Sequence, residues 1–584
     1  MSLSTALQIG RSALSASQLA IQVTGNNVAN AATPGYSRQV LTLGPTQEGR
    51  YGGSLVGRGV DVLGVRRQVD NALQQRLWSS ISRESRDSSD LSLLATVETS
   101  LRALDANNSL PARLNNFFST WSNLADQPSV AGNRSLVVQS GRQAAAYMRD
   151  LRTSLTSQRD QIDQTLTSNV NRANDLLGQV AALNTQIVVA EGGQGNAGSL
   201  RDQRDSIVTE LAQYMDITPI EQSNGNLDLL VGSTPVVLAG SSRGVELRIR
   251  TVNGVTESAV VSKDNKEVIP ITSGQVGSLL AQRTELVGDT IARLDEVATA
   301  LIARVNRLHS QSSPSAPQSA FTGTRSIRTS DQALAMNDPL NQSFANLPAA
   351  LRPTSGSFVV TLRNAATGSS QSTTINVDLD GITSAFTPGT TNDTTLTSLT
   401  GSIDAIGNLT ASVNASGQLQ LTADTGYDIT LSDDTSGALA NLGVNTFFIG
   451  STAEDIAVRA ELSQDPNLLA TGRTVNGEPS ANGGALAISQ LKSQTIPELG
   501  NITFNDSWDQ AVQSIAVRTS AARTNAGAGK IVRENLDAQR SSLVGVSLDE
   551  EAINLLNSQR HYQASARFIT VVDELTQTLL ALVR

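Results

Sequence analysis

The residue types that do chemistry are scarce in this chain and poorly spaced for it. Among 584 residues there are two histidines, His309 and His561, and no cysteine. The lack of cysteine excludes disulfides, thiolate metal sites and thiol nucleophiles. A histidine-based metal or acid–base centre needs partners that converge on one point. His309 closes the helical stretch ARVNRLHSQ, and His561 sits beside Tyr562 with Glu550 and Glu551 more than two helical turns earlier. Each reads as a helix-surface histidine. Residues 525–530, NAGAGK, echo the end of a phosphate-binding loop, but Thr524 stands where its first glycine belongs and Ile531 where Ser or Thr must follow the lysine. Asp424, Asp428, Asp433 and Asp434 carry charge enough to attract calcium. They lack both EF-hand spacing and a glycine-rich nonapeptide repeat, so they read as turn and strand-edge carboxylates. The glycine-rich stretch 192–198 ends a helix instead of following a strand, which removes the context of a dinucleotide loop. Serines are plentiful, but no nucleophile elbow is expected among them. The expectation is no catalytic residue, no cofactor and no metal: not an enzyme.

Bulk properties narrow the class further. The net charge of -10 leaves no basic footprint to neutralise phosphates, which argues against nucleic acid. No apolar run approaches a membrane span. Arg11 and frequent Ser and Gln interrupt any secretory h-region at the N-terminus, so composition by itself reads as cytoplasmic. The length exceeds what one core supports, and several domains are expected.

The elements that could position a site are mostly helical. Leu7, Leu14, Ile21 and Val28 recur every seven residues, with Leu3, Gly10, Ser17 and Thr24 between them. That is a seam for helix-on-helix packing, with small residues where backbones come close. One face alone does not hold such a helix in water. The far end supplies a partner: Leu548, Ala552, Leu555, Tyr562, Ala566, Ile569, Val572, Leu579 and Val583 repeat at three-four spacing. Between the ends, 30–36 is a turn, because Pro34 bars Thr33 from helical geometry and Gly35 permits a positive φ. Short extended pieces at 40–43 and 60–62 flank a glycine-rich hairpin. Helical stripes follow: Val69, Leu73, Leu77 and Ile81, then Leu91, Leu94, Val97, Leu101 and Leu104, then a break at 105–109. A short helix on Leu110, Leu114, Phe117, Trp121 and Leu124 has Pro111 in its first turn. A helix over 133–190, ended by Gly192 and Gly193, would span on the order of 85 Å. Ser199 and Asp202 are spaced as a capping box for the next helix. Short strands are expected at 226–230, 236–238 and 246–251, a helix over 279–309, and strands at 358–362, 374–379, 418–422 and 427–431.

Two motifs carry a resemblance. Residues 26–39, NNVANAATPGYSRQ, and the C-terminal SLDEEAINLLNSQRHYQASARFITVVDEL are similar to the two ends of the bacterial flagellar rod, hook and hook-associated proteins. TPGYSRQ, NLGVNTFFIGSTAEDIAV and DPNLLATGRT resemble the hook-associated branch, and 396–442 resembles a small β-rich module of flagellins and hook-associated proteins. The fold this implies is multidomain α plus β: N- and C-terminal helices forming a coiled-coil core, a long helical bundle domain, and inserted β-rich outer domains. The parts are 1–45 with 545–584, 46–215 with 485–544, 216–320 with 451–484, and 321–450. The resemblance implies a structural subunit at the junction between hook and filament, exported through a type III channel without a cleaved signal peptide and located outside the cell. It implies a homo-oligomeric tubular ring, with hook protein below, the next hook–filament junction protein above, and a flagellar export chaperone. The expected assembly residues are Leu7, Leu14, Ile21, Val28, Asn30, Pro34, Gly35, Tyr36, Leu555, Tyr562, Ala566, Ile569 and Leu579. Tyr562, Ile569 and Leu579 are also the expected chaperone footprint. The sequence leaves open how the heptad positions divide between the chain's own far end and neighbouring subunits. Rival readings are a hook or distal rod subunit, and a secreted adhesin or hydrolase with its activity in 321–450.

Overall fold

The structure, a computed structural model, describes residues 3–51, 54–102, 109–192, 196–252, 255–314, 316–475 and 478–582. Leu104, most of the break at 105–109, Gly193 and Val583 lie outside the described residues. The chain divides into two compact units, one of Met1–Leu93, Gln161–Arg283 and Ser520–Arg584, the other of Leu94–Asp160 and Thr284–Thr519. Helices Asn71–Arg102, Ala131–Glu191 and Phe504–Val544 contribute residues to both. The fold is the multidomain mixture of long helices and small antiparallel sheets that the sequence implies.

In the first unit the N-terminal helix, Leu3–Ala29, packs on the C-terminal helix, Leu548–Leu582, and on a hairpin of strands Gln39–Pro45 and Val60–Arg67. Asp70 starts the next helix: its side chain accepts from the Leu73 amide at 3.0 Å, filling one of the orphan donors of a first turn. The long helix Ala131–Glu191 has 61 residues, about 90 Å at the α-helical rise. The helix Gly198–Tyr214 opens without a side-chain cap. The capping box expected of Ser199 and Asp202 does not form, because the Asp202 carboxylate is taken by the Ser37 amide and by Arg67. Four short strands in chain order, the first Thr218–Glu221 and the last Ser241–Ser242, and the hairpin Val245–Val252 with Val255–Ser262 complete the unit.

The second unit is centred on aromatic rings. Helix Leu110–Asp126 is capped by Ser109 and carries Pro111 in its first turn. It buries Phe117, Phe118 and Trp121 against Phe447, Phe448 and Phe504. The helix expected over 279–309 is interrupted by a π-helical segment, Arg283–Gly288, between Gly274–Gln282 and Asp289–Ser310. The β-rich part has two three-stranded antiparallel sheets. In one, Gly356–Asn364 lies between Ser370–Val377 and Tyr427–Ser432; in the other, Leu419–Ala423 lies between Ala320–Thr322 and Leu409–Val413. The helix Leu396–Asp404, held by a capping box of Thr395 and Ser398, closes the core through Leu399 and Ile403.

Candidate assembly site at the paired chain ends

Two contacts fix how the chain ends meet. A Cβ added at Gly10 would stand 2.6 Å from Ile569 Cγ1 and 3.2 Å from Phe568 Cδ1. Further along the N-terminal helix, Asn27 Nδ2 donates to Glu551 Oε2 at 3.1 Å. Residue numbers rise on one helix as they fall on the other, so the pair is antiparallel. Gly10, Ser17, Thr24 and Asn27 are buried. The small heptad set therefore lies in a packed face, and at Gly10 the room a side chain would take is filled by Ile569.

The signature segment builds the other end of this contact. After the helix ends, residues 33–36 form a type II turn: the Tyr36 amide donates to the Thr33 carbonyl at 3.2 Å, Pro34 occupies the second position, and Gly35 takes φ +81. The turn brings Tyr36 back over Asn27. The Asn27 amide is then saturated: Oδ1 accepts from Tyr36 Oη (2.9 Å) and the Gln39 amide (2.9 Å), while Nδ2 donates to the Gln39 carbonyl (2.9 Å) and to Glu551. Burial first, then the negative charges of Asp202 and Glu551, push the Tyr36 hydroxyl up to about 12, so it stays a donor. Asn30 Nδ2 donates to the Asn26 carbonyl at 3.0 Å and holds the last turn.

Charge closes the cluster. Glu551 is 2 % exposed and receives Arg38 Nε and Nη2, each at 2.8 Å, while Arg38 Nη1 reaches Glu550 at 3.0 Å. The Arg38 amide donates to the Val544 carbonyl at 3.1 Å. The Ser37 amide donates to Asp202 Oδ2 at 3.1 Å, and Arg67 bridges Asp202 and Asp205 at 2.8 Å each. The buried Glu551 carboxylate is tolerable because it is paired and hydrogen-bonded on both oxygens.

The expected site residues fall into three groups. Leu7, Leu14, Ile21, Leu555, Ala566 and Ile569 are half-buried along the helix pair. Val28, Tyr562 and Leu579 are exposed, as are Pro34 and Gly35 at the tip of the turn. Asn30 and Tyr36 act inside the signature, on Asn26 and Asn27. Sequence reasoning missed Asn27, Arg38 and Glu551 as the joining set. None of the three stands at a seam position read from the sequence: Asn27 lies near the end of one helix, Glu551 in the first turn of the other, and Arg38 beyond the turn.

The other candidates do not gather into a reactive centre. His561 is exposed as expected, but His309 is not on a helix surface: it is fully buried and hydrogen-bonded; 525–530 lies inside a continuous helix. Asp434 caps a turn through Ser436 Oγ and the Gly437 and Leu439 amides. The spacing G-x-S-x-G does occur, at 240–244, but Ser242 ends one short strand and leads into the strand Val245–Val252. A nucleophile elbow needs a helix there. Among the described residues no helix is long and apolar enough to cross a membrane.

Comparison with known proteins agrees with the ends and with the middle. Residues 7–36 match the family described as Flagella basal body rod protein, and 539–582 match Flagellar basal body rod FlgEFG protein C-terminal. Residues 94–315 match Flagellar hook-associated protein FlgK helical domain. Flagellar hook-associated protein 1 of Salmonella typhimurium is 24% identical over 588 residues, covering 99% of this chain and 100% of the relative. Along nearly its whole length the chain is similar to proteins named flagellar hook-associated protein 1. The Bacillus subtilis member of that name is 23% identical, covering 98% of this chain and 97% of its own. A solved structure, of the flagellar hook junction protein FlgK from Burkholderia pseudomallei, aligns with a TM-score of 0.49 at 16% identity, over 80% of this chain and 100% of that one. The two segments that match rod-protein families are the ones that Asn27, Arg38 and Glu551 join.

Proposed function

We propose that the chain forms the junction between hook and filament of the bacterial flagellum by self-assembly through its terminal helices. The observation that carries the assembly mode is a second apolar stripe on the C-terminal helix. Phe568, Val571, Leu575 and Leu582, at heptad spacing, are 43 to 78% exposed, while Ile569 and Val572 are covered. Of the described residues of this helix, only Glu551 and Val572 are buried. A helix with two apolar stripes and one partner has a face left for neighbours. In this reading neighbouring copies cover it in a tubular ring, with hook protein below and the next hook–filament junction protein above. The pairing within one chain is thin, so ordering of the helices is completed at incorporation, which delays polymerisation until the subunit is in place. Transit is by the type III export apparatus without a cleaved signal. A flagellar export chaperone covers Tyr562, Ile569 and Leu579, of which Tyr562 and Leu579 are exposed.

The test is a Val571→Asp/Leu575→Asp variant expressed in cells lacking the native protein. Secretion into the medium at the wild-type level, an unchanged monomer melt, and loss of incorporation and motility are expected. Incorporation at the wild-type level would refute the assigned face.

A further inference from the structure

The loop after strand Ser370–Val377 carries Asp378-Leu379-Asp380-Gly381 and returns to Asp393 ahead of helix Leu396–Asp404. It is tied across its base, where the Thr394 amide donates to the Asp378 carbonyl at 2.7 Å, and midway, where the Gly389 amide donates to the Gly381 carbonyl at 2.9 Å. One carboxylate oxygen from each of Asp378, Asp380 and Asp393 lies within 4.8 Å of the other two. Calcium–oxygen distances of about 2.3–2.6 Å put oxygens on opposite sides of one ion about 4.8 Å apart. The three groups therefore fit one coordination sphere. Among the described residues no lysine or arginine ion pair reaches any of them.

A separate feature points to a ligand. Asp393 is 4 % exposed. Its Oδ2 accepts from the Gly381 amide at 3.1 Å and from Asn337 Nδ2 at 2.6 Å. Its Oδ1 is shut off from solvent and accepts nothing. The same is true of Asn337 Oδ1, on the side chain that holds Asp393. A buried anionic oxygen with no donor bears its full desolvation cost, and one oxygen of the same carboxylate lies within 4.8 Å of an oxygen from each of Asp378 and Asp380. Like charges at this separation repel, and among the described residues no side chain neutralises them. Hard oxygen donors of this kind suit calcium, whose sphere is large and irregular. Magnesium demands a tighter octahedron and keeps its waters.

We propose that Asp378, Asp380 and Asp393 bind one calcium ion and so fix this loop between its strand and helix. The test is calorimetric titration of the purified full chain, stripped with chelator, with calcium chloride and separately with magnesium chloride. Asp378 and Asp380 are exposed, so an Asp378→Asn/Asp380→Asn variant keeps the buried Asp393 contacts, and circular dichroism checks its fold. One calcium per chain is expected, with Kd no weaker than about 10⁻³ M and roughly tenfold or greater weakening in the variant. No calcium binding at millimolar concentration, equal binding by the folded variant, or binding of magnesium in preference to calcium would overturn the proposal.

Discussion

Acid should remove stability from the second unit through one side chain, His309. The ring lies fully buried beside Trp121 and Phe447, with centroids 6.2 and 5.9 Å away. Nδ1 is 2.7 Å from the Asn445 carbonyl, which can only accept, and Nε2 accepts from the Ala470 amide at 3.1 Å. The proton therefore sits on Nδ1, and a second proton on Nε2 would face the Ala470 N–H. Burial is the main cause that lowers the pKa from 6.5 to about 4, with the Asn445 bond opposing it and the Arg459 charge adding to it. In the unfolded chain the imidazole protonates near its ordinary value. Between the two pKa values the unfolded state binds more protons, so stability falls as pH falls. The contribution is whole above the unfolded value and spent below the folded one. Across the window the loss is about 3 kcal/mol, with about 2 kcal/mol of it between pH 7 and pH 5. That is a large share of a typical domain's net stability.

The assay is urea unfolding followed by tryptophan fluorescence in a Trp78→Phe background. The remaining signal then comes from Trp121 and Trp508, both in the second unit. A His309→Gln variant sets the baseline, because it shares every other titrating group. It should be less stable at pH 7 and should lose about 2 kcal/mol less than the His309 chain on going to pH 5. Equal losses in the two chains would refute the reasoning, since the acid sensitivity would then belong to carboxylates common to both.

Two further changes address the joined ends. Gly10→Leu forces a side chain into the space of Ile569 and Phe568; it should cost about 1–3 kcal/mol by overpacking and speed hydrogen exchange at both terminal helices while leaving the second unit unchanged. Arg38→Ala leaves the buried Glu551 without its cation. It should cost about 3 kcal/mol in the first unit, read by urea unfolding of the Trp78 signal, with an Arg38→Ala/Glu551→Gln variant recovering part of the loss.

The parts legible in the sequence were those set by local rules. Pro34 and Gly35 specify a type II turn through their own φ preferences, and the observed turn needs nothing else. Ser109 with Pro111, and the apolar seam that includes Leu155, Leu166, Val180 and Ile187, likewise mark helices from within a few residues. Where the chain supplies a competing partner, local rules fail. Ser199 and Asp202 have capping spacing, yet Asp202 serves Ser37 and Arg67, which lie 165 and 135 positions earlier. Asn27 and Glu551 are 524 positions apart, and no local pattern pairs them. The carboxylates singled out by density, Asp424, Asp428, Asp433 and Asp434, do not gather into a metal-type cluster among the described residues. Asp378, Asp380 and Asp393 do, because a loop folds back on itself.

The division of labour along the helix pair explains why the signature is polar. An apolar seam between two helices tolerates slippage by a heptad, since a shifted register still buries apolar groups. Here burial within the pair is thin, so apolar contact sets the register weakly. A slip of seven residues would place Asn27 opposite Val544 or Ser558 in place of Glu551, and neither carries a charge for Arg38. A saturated amide and a paired carboxylate lose their partners on any such shift, and that loss is the kind of penalty by which buried polar groups specify one arrangement among several. The register in turn decides which face of the C-terminal helix is turned away from its partner. With Glu551 on Asn27 and Ile569 on Gly10, the stripe of Phe568, Val571 and Leu575 is left exposed. On the proposed assembly, the polar cluster therefore fixes the position of the face that neighbours bind, and the neighbours supply the burial that the pair lacks.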